Sequence, residues 1–311
     1  MEAFSTRWGE LTPTTKGAIM MSAAAIAFSA MIVVLRLAME QMHPFQVAFF
    51  RNVFGLMFML PWLIQTRFGG LRTRRMPLYL LRGCTALVAM LAWFHGLSVM
   101  PMAEAVSLSF TTPLFATIGA ALVLRESVRA RRWGATVLGF VGVLVILRPG
   151  TEAITPGALV VLLSAGFAAG SALIVKSLSR TDPPNTIVTY MVLFLTPTSF
   201  LAALPVWEMP SASTMVLMAS VAGLGTLGHL CFGRAMAMAD ASAVMPFDYL
   251  RLPLVALMGW ALFGELMDGW SWTGAAIITA ATLYIAHREA VVARQRQTTA
   301  PLAAGSQTQK L

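Results

Sequence analysis

An all-α integral membrane protein, with ten transmembrane helices in two inverted five-helix repeats, is the fold class this sequence predicts. Composition, the spacing of the apolar runs and an internal self-similarity each point to it. Of 311 residues, 58% are hydrophobic and only 11% charged, whereas a soluble domain carries about a quarter charged residues. Mean hydropathy is +0.74. The net charge of +9 does not mark a nucleic-acid binder, because the bases cluster between apolar runs rather than along one face. They read as topology signals and as contacts to anionic membrane lipids. Cys84 and Cys231 both fall in apolar segments, so neither a disulfide framework nor a metal-ligand spacing is present.

Ten apolar segments, each near the ~20 residues that span a bilayer, follow one another with short connections. The first five are Lys16–Arg36, Pro44–Ile64, Pro77–Val99, Ala103–Leu124 and Arg132–Leu147. The second five are Pro156–Leu178, Asn185–Val206, Thr214–Met238, Ala241–Phe263 and Ser271–His287. Prolines such as Pro44, Pro77, Pro101, Pro149 and Pro156 punctuate the connections, leaving no room for an inserted soluble domain. Residues 1–15 are polar and lack a cleavage pattern, so they read as a cytoplasmic segment before a retained first span. Residues 291–311, rich in Gln, Thr and Ala, read as a disordered cytoplasmic tail.

Basic residues fix the expected orientation. Arg67, Arg72, Arg74, Arg75, Arg125, Arg129, Arg131, Arg132, Lys176, Arg180 and Arg234 fall on one set of loops, and Arg36 and Arg148 on the other. The positive-inside rule then puts both termini in the cytoplasm, which agrees with an even number of spans.

The halves repeat. Gly17-Ala18 recurs as Gly157-Ala158, Arg36 as Lys176, Pro44 as Pro184 and Pro113 as Pro253, each at 140 residues (157−17, 176−36, 184−44, 253−113). Glu126 recurs as Glu265 and Trp133 as Trp272 at 139 (265−126, 272−133). The repeats occupy residues 16–150 and 151–290. Each holds five spans, an odd number, so the halves sit inverted in the membrane, an arrangement that puts a substrate site at their interface.

Asp248 and Arg251 lie inside the ninth apolar run, flanked by Pro246 and Pro253. Charges at membrane depth are costly and face a bundle interior or a watery cavity. Three residues apart, the two share a helix face and can pair. They either line a substrate site in a loosened helix or lock helices together. Arg51 lies seven residues in from Pro44 (51−44), about 10 Å at 1.5 Å per residue, too deep to snorkel with ease. It can bind an anionic group or neutralise an acid such as Asp248. Ser109, Trp93 and Tyr190 are further candidates for the same cavity, with Ser107, Thr111 and Thr112 near the helix-breaking Pro113. Those hydroxyls serve either freed carbonyls or a ligand. Arg82 reads as a snorkelling residue, His95 and His229 as interfacial polar groups, Glu104, Glu126 and Glu265 as helix-end charges. The glycines of Gly139-Phe-Val-Gly142 and Gly166-Phe-Ala-Ala-Gly170 read as packing positions. Gly223, Gly225 and Gly228 match a dinucleotide fingerprint in form only, since no strand precedes them. Neither a catalytic motif nor a cofactor motif is present, and the chain reads as a non-enzyme without cofactor or metal.

The stretches Val47–Asn52 (VAFFRN), Tyr79–Gly83 (YLLRG), Ser109–Glu126, Trp133–Gly150 and Phe247–Glu265 carry a resemblance. Through them the chain resembles the EamA family of the drug/metabolite transporter superfamily over nearly its whole length. The resemblance implies ten helices in inverted repeats around a central cavity, and carrier-type transport without ATP hydrolysis. Family substrates range from amino acids and drugs to purines, riboflavin and S-adenosylmethionine. The AFFR, LRG and PLF segments are most similar to bacterial importers of the last two. Where the family often has Glu before the proline of the ninth helix, this chain has Arg251. The expectation is an inner-membrane secondary transporter of a small polar metabolite. An exporter of amino acids or drugs, a membrane-embedded enzyme acting on lipid-linked substrates, and a channel are the rivals.

Overall fold

The computed structural model describes residues 11–66, 71, 73–122, 130–148, 155–178, 181–238, 245–284 and 287. The tail, residues 1–10, Glu126 and the loop residues Arg67, Arg72, Arg125, Arg129 and Arg180 lie outside them. Every regular element among the described residues is helical: α1 (Pro13–Met39), α2 (Pro44–Gln65), α3 (Met76–Val99), α4 (Met102–Ser109), α5 (Thr112–Leu122), α6 (Ala130–Leu147), α7 (Pro156–Leu178), α8 (Pro184–Ala203), α9 (Ala212–Met238) and α10 (Arg251–Phe263). A last helix, α11, covers residues 269–284. Short 3-10 turns follow α8 (Leu204–Val206) and precede α10 (Met245–Leu250).

Local chemistry sets these boundaries. Thr12 caps α1 by accepting the Thr15 amide at 3.2 Å, with Pro13 opening the helix. His43 Nδ1 accepts the Phe45 amide at the start of α2, where Pro44 plays the same part. Gly264 ends α10 at φ 67°, a left-handed conformation that glycine adopts without strain. Its amide and that of Glu265 then close the turn on Trp260 and Gly259 at 3.1 Å each, which aims Glu265 back at the bundle.

Two of the apolar runs are not single helices. Pro113 denies the Ser109 carbonyl its donor, and the chain breaks between α4 and α5. The Thr112 hydroxyl takes that carbonyl at 2.8 Å, while Ser109 and Thr111 bond the carbonyls of Val106 and Leu108. Of the two roles open to these hydroxyls, the structure displays repair of the backbone. Pro253 likewise denies Tyr249 its donor, and the chain winds as a 3-10 turn before α10.

Six helices among the described residues are long and apolar enough to cross a membrane. Ile26, Ile64, Leu122, Leu163, Leu201 and Val216 stand on the outside, all exposed. In water such an apolar exterior would aggregate; in hydrocarbon it is the preferred surface. The protein is a multi-pass membrane protein. Inside, α1 lies along α9, α3 along α7 and α2 along α8, while α10 crosses α1 and α4. Small residues permit the close approaches. A methyl added to Gly228 would sit 2.6 Å from the Phe28 ring, and one on Gly274 of α11 would sit 2.6 Å from the Gly142 carbonyl of α6. Gly139 is similarly tight against Leu114, whereas Gly170 has open space beside it and Gly166 meets only Phe115 at 4.0 Å. The packing role expected of that second pair is therefore not seen. Gly223, Gly225 and Gly228 lie within α9, turned partly onto α1.

Arg82 does not snorkel. It is buried, and its Nη1 donates to the Ile187 carbonyl of α8 at 2.6 Å. The neighbouring helix end offered a closer acceptor than the interface. At the same end, Asp182 accepts from the hydroxyls of Thr73 and Tyr79 at 2.7 Å each, and Arg75 bonds the carbonyl and hydroxyl of Ser177. The Tyr79 hydroxyl, helped by Thr73, Thr181 and the Arg75 charge, holds the Asp182 carboxyl below the usual carboxylate range despite some burial. A lowered carboxylate stabilises the fold above its unfolded pKa, about 3.9, and that contribution is lost as pH falls through the folded value. The thermal midpoint of wild type is thus expected to fall more steeply below about pH 4 than that of Asp182→Asn. Parallel curves in a thermal-shift series would show the cluster to be energetically idle.

Candidate substrate-binding site

The two interrupted helices meet inside the bundle. Phe110, at the α4/α5 break, packs its ring on Tyr249 with centroids 4.7 Å apart, and Thr282 of α11 donates to the Phe110 carbonyl at 3.2 Å. Arg251 opens α10 beside them. Its guanidinium lies 5.4 Å from the Phe110 ring and 5.5 Å from that of Phe28 on α1, held between two aromatic faces. Such contacts contribute about 2 kcal/mol when desolvated. Asp248, buried, forms an ion pair with Arg251 across the 3-10 turn. The expected pairing of these two residues is present. Asp248 Oδ1 and Arg251 Nε nonetheless find no partner.

Arg51 of α2 reaches the interior by another route. Its neighbour Asn52 is buried, donating to Ser199 of α8 at 3.1 Å and to the Met90 sulfur of α3 at 3.5 Å. Arg51 itself has only distant contacts, with Asn52 Oδ1 at 3.5 Å and Met90 Sδ at 3.7 Å, and joins no ion pair among the described residues. The possible neutralisation of Asp248 by Arg51 is not realised, because Arg251 occupies that carboxylate. An arginine at mid-bilayer costs about 2.5–3.5 kcal/mol on insertion scales, so an unpaired one is a retained expense.

His229 of α9 stands beside Phe28. It meets the Phe28 ring edge-on at 5.1 Å, the ring that also meets the Arg251 guanidinium, and is itself exposed on the bundle. Its place is 17 residues into α9 (229−212). Phe28 and Phe110 carried no mark in the sequence, since nothing in an apolar run distinguishes a ring that meets a guanidinium.

Of the other candidates, Ser109 sits at the break, its hydroxyl turned to Val106, and Trp93 is half-buried against the main core. Tyr190 stands apart. Its ring stacks on Tyr79 at 4.4 Å and its hydroxyl bonds the Leu71 carbonyl, in the neighbourhood of Asp182.

At the opposite end the halves are latched. Arg36 of α1 pairs with Glu265 at 3.3 Å and bonds the Leu97 carbonyl of α3, while the other oxygen of Glu265 accepts the Met102 amide of α4 at 2.7 Å. Arg148 pairs with Asp268 at 2.6 Å, and Ser271 donates to Glu104 at 3.0 Å. The acids expected as plain end charges tie distant segments together.

The profile of the EamA-like transporter family matches residues 15–148 and again residues 155–286. The chain belongs to the EamA-like transporter family. A riboflavin transporter of Vibrio cholerae is 37% identical over 287 residues, 91% of this chain and 96% of that one. An S-adenosylmethionine uptake transporter of Rickettsia prowazekii is 31% identical over 249 residues, covering 80% and 85% of the two chains. One crystal structure superposes with a TM-score of 0.61 over 89% of this chain and 98% of its own; at 16% identity it speaks to the fold alone. This EamA-like protein is a transporter by family, and its charged interior lies where the two matched halves meet.

Proposed function

We propose that this EamA-like protein is an inner-membrane secondary carrier that takes up a cofactor-like metabolite of the riboflavin kind by alternating access. Ten spans in two inverted repeats would carry out the motion, with both termini cytoplasmic. Arg51, Asp248 and Arg251 would form the binding site, with Ser109 and Trp93 beside it and Tyr190 towards the cytoplasmic end. The ligand would leave unaltered, as from a carrier rather than an enzyme.

The observation that carries this reading is the relation between the halves. Matching α1 with α7, α2 with α8, α3 with α9, and the broken α4/α5 with the broken 3-10/α10 segment pairs off the contacts. Thus α1–α9 corresponds to α3–α7, α2–α9 to α3–α8, and α1–α10 to the packing of α4 and α5 on α7. The contacts α2–α8 and α4–α10 map onto themselves. Such exchange symmetry is what inverted repeats produce, and it supports a site between two broken helices. In that orientation the Arg36–Glu265 latch closes the periplasmic end.

Proteoliposomes preloaded with unlabelled riboflavin are expected to accumulate labelled riboflavin by saturable counterflow. S-adenosylmethionine exchange instead would move the substrate to the other class of relative. Conversion of the ligand without a gradient would sink the carrier reading.

A further inference from the structure

We propose that a groove along the N-terminal half of α1 binds one anionic phospholipid, an acyl chain lying in the groove and the headgroup at Thr14, Thr15 and Lys16. The groove, about 640 Å³ in volume, runs along α1 from Thr14 to Ile26, and Phe247 of the 3-10 turn before α10 borders it. Its shape follows from residue size. Ala18, Ser22 and Ala23 give a low floor, while Ile19, Ile26 and Phe247 stand as exposed apolar walls. The helix keeps this face outward because its other face carries Met21, Ala24 and Phe28, packed with Cys231 and Ala235 of α9. Twelve residues separate the two ends (26−14), about 18 Å at 1.5 Å per residue. One leaflet of hydrocarbon is about 15 Å deep, half of the ~30 Å core. The groove thus matches an acyl chain reaching from the interface to mid-membrane.

Polarity is gathered at one end. Apart from Ser22, every polar side chain lining the groove belongs to Thr14 and Thr15, both exposed in the first turn of α1. A polar ligand would find few partners along such walls, whereas a hydrocarbon chain needs none. Threonine hydroxyls donate to phosphate oxygens. Lys16 adds a positive charge beside them, and no acid stands in that first turn. The positive end of the helix dipole lies there too, and basic groups at the interface draw anionic lipids. At the inner end, Phe247 directly precedes Asp248, and Arg251 lies against Phe28, two residues beyond Ile26. A chain in the groove therefore bears on the turn that carries the buried ion pair. The site requires only that α1 spans the membrane, whatever ligand the protein carries.

Full-length protein, stripped of lipid in detergent, would be titrated with dioleoylphosphatidylglycerol or dioleoylphosphatidylcholine and read by native mass spectrometry. One phosphatidylglycerol is expected to bind at least tenfold more tightly than those that follow it, and at least threefold more tightly than phosphatidylcholine. Ala18→Phe, which fills the floor, is expected to weaken that first lipid at least tenfold. Lys16→Gln keeps the groove and is expected to lose only the preference between the two headgroups. Leu163→Phe, at an exposed position of α7, is the control and is expected to change neither. If Ala18→Phe misfolds, Ser22→Leu narrows the same floor with a smaller side chain. Unchanged affinity for the first lipid in a folded groove-filling variant would overturn the site. Equal binding of the two lipids to wild type would overturn the anionic headgroup. A lipid-free dimer that Ala18→Phe breaks would make a second copy of the chain the occupant and overturn the proposal as well.

Discussion

Arg251→Ala is expected to abolish counterflow and to lower stability by about 3–5 kcal/mol, the usual cost of leaving one member of a buried ion pair alone. Asp248 would then be buried without its partner, and the Phe28 and Phe110 rings would face a void. The double change Asp248→Leu with Arg251→Met removes both charges and keeps volume, so it is expected to regain most of the stability and none of the transport. Thermal unfolding of the three variants in detergent, with counterflow beside it, separates the roles. If the double variant is as unstable as the single one, the pair matters through packing alone. If the single variant still transports, Arg251 is outside the site.

Glu265→Ala is expected to have the second largest effect. It frees Arg36 and the first amide of α4 together, since Glu265 holds the former at 3.3 Å and the latter at 2.7 Å. Both side chains are partly buried, at 20% and 16% exposure, so the pair contributes more than the ~0–1 kcal/mol of a surface bridge. Amide exchange at Met102 and Ala103 is expected to quicken more than tenfold, with counterflow falling by a similar factor as the closed state of this end loses population. Unchanged exchange at these amides would mean that Arg148–Asp268 and Glu104–Ser271 hold the end shut by themselves.

Much of this was legible in the chain. Apolar runs announce helices because hydrocarbon forbids unpaired backbone, and Pro113 and Pro253, 140 residues apart, announce two breaks because proline cannot donate wherever it stands. Asp248 and Arg251 were legible because spacing and cost act locally. What was not legible depends on contacts between distant segments. Arg36 and Glu265 are 229 residues apart, and only the fold reveals that two end charges are one latch. Arg82 found a carbonyl on another helix, His229 found Phe28, and Phe28 found Arg251. Each outcome depends on how helices of nearly uniform hydrophobicity rotate about their axes, and a sequence without an amphipathic stripe leaves that rotation open.

The touching backbones of Gly142 and Gly274 bear on how motion in this molecule is to be watched. Ile146 of α6 and Ile277 and Ile278 of α11 close around the two glycines. Helices in such contact have no side-chain layer in which to slide, so α6 with α11 is expected to act as a keel. Under the alternating-access proposal, a reporter fused after α11 is expected to stay silent while the other helices rock. Cys84, exposed on α3, is the better place for a dye, because the chain's other thiol, Cys231, is buried.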